Sequence, residues 1–366
     1  MISSPRFVLS SLALGLLSAP MLSQAAAIER SGQSILPIFE KGNYAEVSYV
    51  FVDPSLPGTV NGTDIDGDSA DNYGYLSGAV KLAPSDDSFI ALIYDEPFGL
   101  DYDYGSQPIL GGAEAELNSQ NYTLLVGGKP VENVWLYGGV AYQHIDANVT
   151  TPNIAPYNLD FSDNAGGLVV GAAYEIPEIA LRAAVTYRSE IENKGTATEN
   201  VLTPGGPLSL ETPFEISTPQ SVNLNFQTGV TPTTLFMLDL RWVDWTAFKA
   251  APQAFTAGNA GEPLVSFDKD QYSGTIGVGQ KLTDNLSASL KFAYDSGTGE
   301  NPSIFGPYEE KYTTVLGAKY SIKNVDLSAA AAYTWLGSAE VPVGPFTAEY
   351  DDGDALAFAA KVGYHF

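Results

Sequence analysis

Large apolar residues alternate with small or polar ones through the last stretch of the chain, Ala355 to Phe366. Leu356, Phe358, Ala360, Val362, Tyr364 and Phe366 fall on one side, and Ala357, Ala359, Lys361, Gly363 and His365 on the other. A period of two is that of a β-strand, so this stretch is a strand with one greasy face. A soluble sandwich could end on such a strand, but behind a secretory leader it reads better as the closing strand of a membrane barrel whose apolar face meets lipid. The same period recurs upstream and predicts strands near 44–52, 73–83, 87–96, 114–128, 133–146, 164–176, 179–191, 218–230, 234–248, 270–281, 285–296, 308–321, 325–337 and 354–366, fourteen in all.

The connections are of two kinds that take turns. Short polar turns are expected at 83–86, 128–130, 176–178, 231–233, 283–285 and 323–324; long loops at 53–72, 97–113, 147–163, 192–217, 249–269, 297–307 and 338–353. Short and long connections alternating along an even number of strands are the layout of an all-β, antiparallel, up-and-down transmembrane β-barrel of about fourteen strands. Its brief turns face the periplasm and its loops the exterior. A soluble sandwich has no reason to sort its loops in this way.

Charge fixes the faces of the clearer strands. In 179–191, Leu181, Ala183, Val185 and Tyr187 face lipid, whereas Arg182, Thr186, Arg188 and Glu190 face inward. Phe236, Leu238, Leu240 and Trp242 point outward in the strand that turns Asp239 and Arg241 inward. In 285–296, Leu286, Leu290, Phe292 and Tyr294 go outward and Ser287, Ser289, Lys291 and Asp295 inward. An Arg on the lipid side near mid-membrane costs ~2–4 kcal/mol, so the register with every charge inside is strongly preferred. Strand 133–146 is apolar on both faces and is not oriented by its sequence.

Residues 1–27 read as a signal peptide: Arg6 precedes the apolar run Phe7 to Ala19, and Ala25, Ala26 and Ala27 offer a small-residue cleavage site. No stretch has the ~18 consecutive apolar residues of a transmembrane helix, so a membrane location requires a closed barrel. The absence of cysteine excludes a disulfide framework. With 17 Lys+Arg against 43 Asp+Glu the chain carries a formal charge of −26, which argues against nucleic acid as a partner. Few charges (16 %), 36 Gly and 21 Tyr suit short strands with aromatic girdles at the lipid interface. The expected location is the bacterial outer membrane, among outer-membrane lipid and lipopolysaccharide.

Residues 28–43, ahead of the barrel at 44–366, do not alternate. Pro37 interrupts Ile35, Leu36, Ile38 and Phe39, so the segment is either a disordered terminus or a plug in the lumen. Four large apolar residues together are unusual for a disordered tail and favour the plug.

Several segments resemble the FadL family of outer-membrane transporters for long-chain fatty acids and other hydrophobic compounds. The hairpin Thr218 to Phe248, with its tryptophans at 242 and 245, is similar to that family's periplasmic turn and following W-x-x-W-like strand. Pro97-Phe98-Gly99-Leu100 resembles its P-F-G-L, Tyr187-Arg188-Ser189 its Y-R-S, and Tyr294-Asp295 its late Y-D. The resemblance implies a fourteen-stranded barrel with an N-terminal hatch. Cargo would be captured outside and leave sideways through a gap at a kinked strand. The family's Asn-Pro-Ala run near the N-terminus does not occur here. The closing strand, with Tyr364 and the terminal Phe366, also resembles the signal that barrel-assembly machinery recognises.

A fatty-acid carboxylate wants a cation, and the inward Arg188, Arg241, Lys291 and Lys361 are the candidates for substrate binding, Arg being suited to bidentate contact. The bland alternative is that they pair with luminal acids such as Glu190, Asp239 and Asp295. At Pro97, Phe98 and Gly99 the ladder should lapse, because Pro lacks a donor and Gly weakens a strand. That lapse is a lateral exit or a plain strand end at the rim. Asp64 to Asp68 hints at calcium but fails EF-hand spacing, with Ser69 in place of Gly and Tyr75 in place of Glu. An acidic loop, or loose divalent bridging to lipopolysaccharide, is the simpler account. His144 and His365 have no partner at catalytic spacing, and no Ser elbow or phosphate loop occurs. The expected protein is not an enzyme and needs no cofactor. It passively carries long-chain fatty acids or other hydrophobic small molecules across the outer membrane. The rivals are a water-filled porin for small polar solutes and a structural or adhesive surface barrel.

Overall fold

The computed structural model describes residues 28–65, 70–152, 156–259, 261–298, 304–306 and 310–366. The leader expected at 1–27, and Asp66 to Ser69 of the acidic run, lie outside the described residues.

Fourteen strands form the wall. They are β1 Tyr44–Ser55, β2 Tyr73–Ser85, β3 Ser88–Asp95, β4 Glu114–Val131, β5 Val134–Thr151, β6 Tyr157–Ile176, β7 Leu181–Arg188, β8 Ser221–Thr231, β9 Thr234–Val243, β10 Gln271–Lys281, β11 Leu286–Asp295, β12 Lys311–Ile322, β13 Val325–Leu336 and β14 Gly353–His365. Each pairs antiparallel with the next, and β14 returns to β1 from Tyr44↔His365 to Ser55↔Asp354. Closure leaves no edge strand, which is what lets a sheet live in hydrocarbon. Among the described residues no helix is long and apolar enough to cross a membrane.

The faces follow charge. In β14, Phe358 is 55 % exposed and Lys361 6 %; in β9, Leu240 is exposed and Arg241 buried. Strand β5, ambiguous in sequence, turns Trp135, Tyr137, Ala141, Gln143 and Ile145 inward and Leu136, Val140 and Tyr142 outward. Outward tyrosines pack ring against tilted ring across strands in a girdle near the long-loop end: Tyr94 and Tyr122 at 5.1 Å, Tyr122 and Tyr142 at 6.3 Å, Tyr294 and Tyr312 at 5.2 Å.

Three expectations need correction. The strand placed at 234–248 ends at Val243, and Trp245–Ala247 form a 3-10 turn. The Asp244 carboxylate accepts from Gln220 Nε2 and Thr246 Oγ1, both at 2.9 Å, and this turns Trp245 inward among Phe98, Phe248 and Phe267. Residues 147–163 are mostly strand: β5 and β6 run on past the membrane to Thr151 and from Tyr157. The turn placed at 128–130 falls instead after Val131, where Asn133 takes the left-handed conformation (φ 67°).

The long connections fold over the barrel mouth rather than splaying outward. Gly58–Val60 and Thr63–Ile65 from the first, with Ala339–Val343 and Phe346–Tyr350 from the last, make a small sheet of their own. Ile191–Thr203 and Gly206–Thr218 form a hairpin. The short helix α1, Gln253–Gly258, is tied to it by Glu199, whose carboxylate accepts from the backbone N–H of Ala254 and Phe255 at 3.0 Å. Beneath these loops a buried apolar cluster including Phe98, Tyr104, Phe161, Phe214, Trp245 and Tyr350 fills the outer half of the lumen.

Candidate functional site: the lumen and its wall

Residues 28–39 lie inside the barrel. Ile28 to Ser31 run antiparallel to Pro97–Gly99: Arg30 N–H donates to Pro97 O at 2.7 Å and Gly99 N–H to Ile28 O at 2.7 Å. Arg30 spreads its guanidinium over Tyr73, 4.6 Å from the ring centre, and donates to Asn118 at 3.1 Å. Ser31 donates to Asp95 at 3.2 Å. Gly32 and Gln33 are held by their carbonyls, which accept from Asn223 Nδ2 at 2.8 Å and Arg188 Nη2 at 3.0 Å. Gln33 sits at φ 50°, a conformation that costs a non-glycine residue ~1–3 kcal/mol and persists only when its surroundings hold it.

Below this, Leu36–Phe39 make one 3-10 turn opened by Pro37. Ile35 and Ile38 are fully buried in a cluster with Phe89, Trp135 and Tyr137, Phe39 meets Tyr137 edge-on at 6.1 Å, and Leu36 is half-buried. Lys81 donates to Glu40 O, and the imidazole Nδ1 of His365 lies 3.2 Å from Lys41 O, so the segment leaves the lumen beside the closing strand.

The four cations singled out in sequence all face the lumen, but they do not converge on one open pocket. Arg241 pairs with Glu29 and donates to Asn223 Oδ1 at 2.5 Å and Gln33 Oε1 at 3.2 Å. Arg188 is spent on Gln33 O and Thr123. Lys361 pairs with Glu46 at 3.1 Å. Lys291 is buried across from Gly277, whose missing side chain leaves room for the lysine stem. Burial pushes the Glu29 carboxyl above its ordinary range, while the Arg241 charge and hydrogen bond pull it back. Sequence reasoning missed Glu29, Gln33 and Asn223. A lone acid and a glutamine in a stretch that does not alternate carry no periodic signal.

The wall itself is interrupted near Pro97. The β2–β3 ladder stops at Gly78↔Tyr94, whereas β2 continues with β1 to Val52↔Tyr73. On the other side β3 pairs with β4 to Asp95↔Asn121, then resumes at Gly99↔Asn118. The intervening Glu96, Pro97 and Phe98 bend inward, where Phe98 N–H donates to Ser119 Oγ at 2.8 Å. From Tyr73 to Ser77 the free edge of β2 therefore has no strand beside it among the described residues; the Leu76 N–H donates to the Glu96 carboxylate at 3.2 Å instead. A cavity of about 40 Å³ backs this break, between Ser31 and Pro37 of the luminal segment and Tyr75, Ser77, Tyr94 and Asp95 of the wall. Tyr364 and Phe366 stack at 6.0 Å on the lipid side at the opposite end of the barrel.

The family described as outer membrane protein transport protein (OMPP1/FadL/TodX) matches residues 97–366. The chain belongs to this family. It is an outer-membrane transport protein built as a closed fourteen-strand barrel. None of the curated proteins matches it in sequence. In structure it is similar to a Pseudomonas aeruginosa FadL homologue (14 % identity, 90 % of this chain and 91 % of that one, TM-score 0.73). It is likewise similar to the Pseudomonas putida toluene transporter TodX (13 %, 93 % and 96 %, TM-score 0.65) and the Ralstonia pickettii toluene transporter TbuX (13 %, 95 % and 98 %, TM-score 0.63). At these identities the likeness establishes the fold. Among the described residues no cluster of metal-ligating side chains occurs.

Proposed function

We propose that this barrel carries hydrophobic small molecules passively from the exterior into the outer membrane, and that cargo leaves through the break between β2 and β3. The cargo is a long-chain fatty acid or a comparable apolar compound. The likeness to transporters named for toluene extends the range to small aromatic hydrocarbons. Residues 28–43 act as the plug. Arg188 and Arg241, which hold that segment through Gln33 and Glu29, are the cations an acidic cargo would compete for.

The single observation that carries this reading is the interrupted ladder at Glu96–Phe98 with a cavity behind it. Unpaired backbone at membrane depth is tolerated only against protein or a filled cavity. A break of this kind gives apolar solute a side door that avoids water. The driving force is transfer of apolar surface out of water, ~25 cal/mol per Å², and needs no nucleotide.

The test is uptake of a fluorescent fatty acid into liposomes bearing the mature protein. Ser77→Trp fills the cavity behind the break and should slow uptake while leaving the heat-resistant folded band on gels unchanged. Full uptake by a folded Ser77→Trp barrel rejects the exit.

A further inference from the structure

The wall is interrupted a second time, between β6 and β7. Their ladder runs from Leu181↔Ile176 to Arg188↔Val169 and stops. The chain leaving β7 rejoins β6 only at Thr198↔Asp160. Eight residues of β6, Phe161 to Leu168, thus face nine residues, Ser189 to Ala197, without a ladder. What remains is a reciprocal contact at its inner end, where Ser189 N–H donates to Leu168 O and Leu168 N–H to Ser189 Oγ, both at 2.9 Å, and one at Asp163, whose carboxylate accepts from Lys194 N–H at 2.8 Å. The strand numbers nearly match, so the lapse is not the product of an insertion; the second strand has moved away from the wall.

It has moved inward. Thr218 and Asn193, at the base of the hairpin, both donate to Gln143 Oε1 inside the lumen, at 3.1 and 3.0 Å. Ile191 is buried in the apolar cluster that also holds Ile35 of the luminal segment. The middle of the bare β6 stretch holds small residues, Ala165, Gly166 and Gly167. A Cβ on Gly167 would lie 2.7 Å from Ile191 Cγ1, so that isoleucine is the stopper of the break. Gly166 pairs on its other side with Tyr142 of the outer tyrosine girdle, which puts the break at the membrane's outer interface. Behind it a cavity of about 10 Å³ reaches from Gly167 and Leu168 to Phe98, the residue turned inward by the first break. Two buried donors lining that cavity, Asn121 Nδ2 and Arg188 Nε, have no hydrogen-bond partner among the described residues.

We propose that this second break is a separate wall opening for amphipathic solutes. Acyl chains whose carboxylate can meet Asn121 and Arg188 would enter or leave the lumen beside Ile191, independently of the opening between β2 and β3. The proposal rests on the lateral reading of the barrel, and the test separates the two. The chain has no cysteine, so Gly167→Cys with Ile191→Cys creates a single disulfide across the break. A Gly167 Cβ would lie 2.7 Å from Ile191 Cγ1, the place a sulfur at position 191 would take, so the two positions are close enough to be bridged. The pair is placed in the Ser77→Trp protein, and uptake of a fluorescent fatty acid into liposomes is read before oxidation, after oxidation and after reduction.

The expected result is residual uptake in Ser77→Trp that is lost on oxidation and restored by reduction. Complete loss of uptake in Ser77→Trp alone, or residual uptake indifferent to oxidation, overturns the second opening. Full uptake in Ser77→Trp that oxidation abolishes leaves the second opening standing and removes the first. Uptake that neither change affects removes both.

Discussion

Phe98, on the inturned segment after β3, meets Trp245, in the helical turn after β9, edge to face with ring centroids 6.1 Å apart. Both are fully buried, and Trp245 Nε1 donates to Gln271 Oε1 at 2.6 Å. The pair joins the kink in one wall segment to the loop floor above the opposite one. Truncating a buried Phe costs ~3–5 kcal/mol, of which ~0.5–1.5 kcal/mol belongs to the aromatic geometry itself. Phe98→Ala should lower the thermal unfolding midpoint in detergent and red-shift Trp245 emission. Unaltered emission would mean that the ring pair does not hold the kink in.

Arg241 and Glu29 form the deepest tie between the wall and the luminal segment. Removing one partner of a buried ion pair costs ~3–5 kcal/mol because the other charge is stranded. Arg241→Ala strands Glu29 and frees Gln33 of one of its two arginines, so residues 28–33 should detach locally while the ladders persist. The measurement is conductance in planar bilayers: little current for the wild type, more for Arg241→Ala, and most after deletion of residues 28–43. Equal currents in all three would deny the segment its role as a plug.

Asp244 lies beyond the end of β9, in the loop floor. The hydrogen bond from Gln220, then that from Thr246, hold its carboxyl below the ordinary value of 3.8. A depressed folded pKa means stability that is present above the unfolded value and lost as pH falls through the folded one. The turn that aims Trp245 inward should therefore be intact at neutral pH and loosen only below about pH 4. Emission from Trp245, in a variant lacking the other three tryptophans, titrated from pH 7 to pH 2, checks this. Asp244→Asn should remove the acid transition, and a transition that persists in it would deny Asp244 this role.

What could be read from the chain alone divides along one physical line. A strand whose outer face dissolves in lipid must put Leu240 out and Arg241 in, so periodicity and charge specify the wall residue by residue. The same periodicity marks β5 as a strand but cannot orient it, because the luminal side there is lined by Trp135 and Tyr137 as greasily as the outside. Pro97 announces a lapse in pairing through its missing donor. The lapse at Ser189 announces nothing, since what holds the chain inward there is not a breaker residue but the hydrogen bonds of Asn193 and Thr218 to Gln143 on β5. For the same reason the partners of Arg188 and Arg241 were not legible. Gln33 and Glu29 meet them from positions 155 and 212 residues away, and no local pattern encodes contacts at that range.

Gly99 offers the sharpest local test of the first break. A Cβ there would run into the Arg30 guanidinium, which is the far end of a flexible side chain and can give way. Gly99→Ala should thus fold normally but lift Arg30 from Tyr73, forfeiting a cation–π contact of ~0.5–2 kcal/mol. Gly99→Trp goes further and occupies the space between Arg30 and the inturned Pro97–Phe98. If cargo passes here, Gly99→Trp slows fatty-acid uptake well below the Gly99→Ala rate, although both lose the same contact. If the two variants transport equally, displacement of Arg30 is the only consequence, and the route does not run past Gly99.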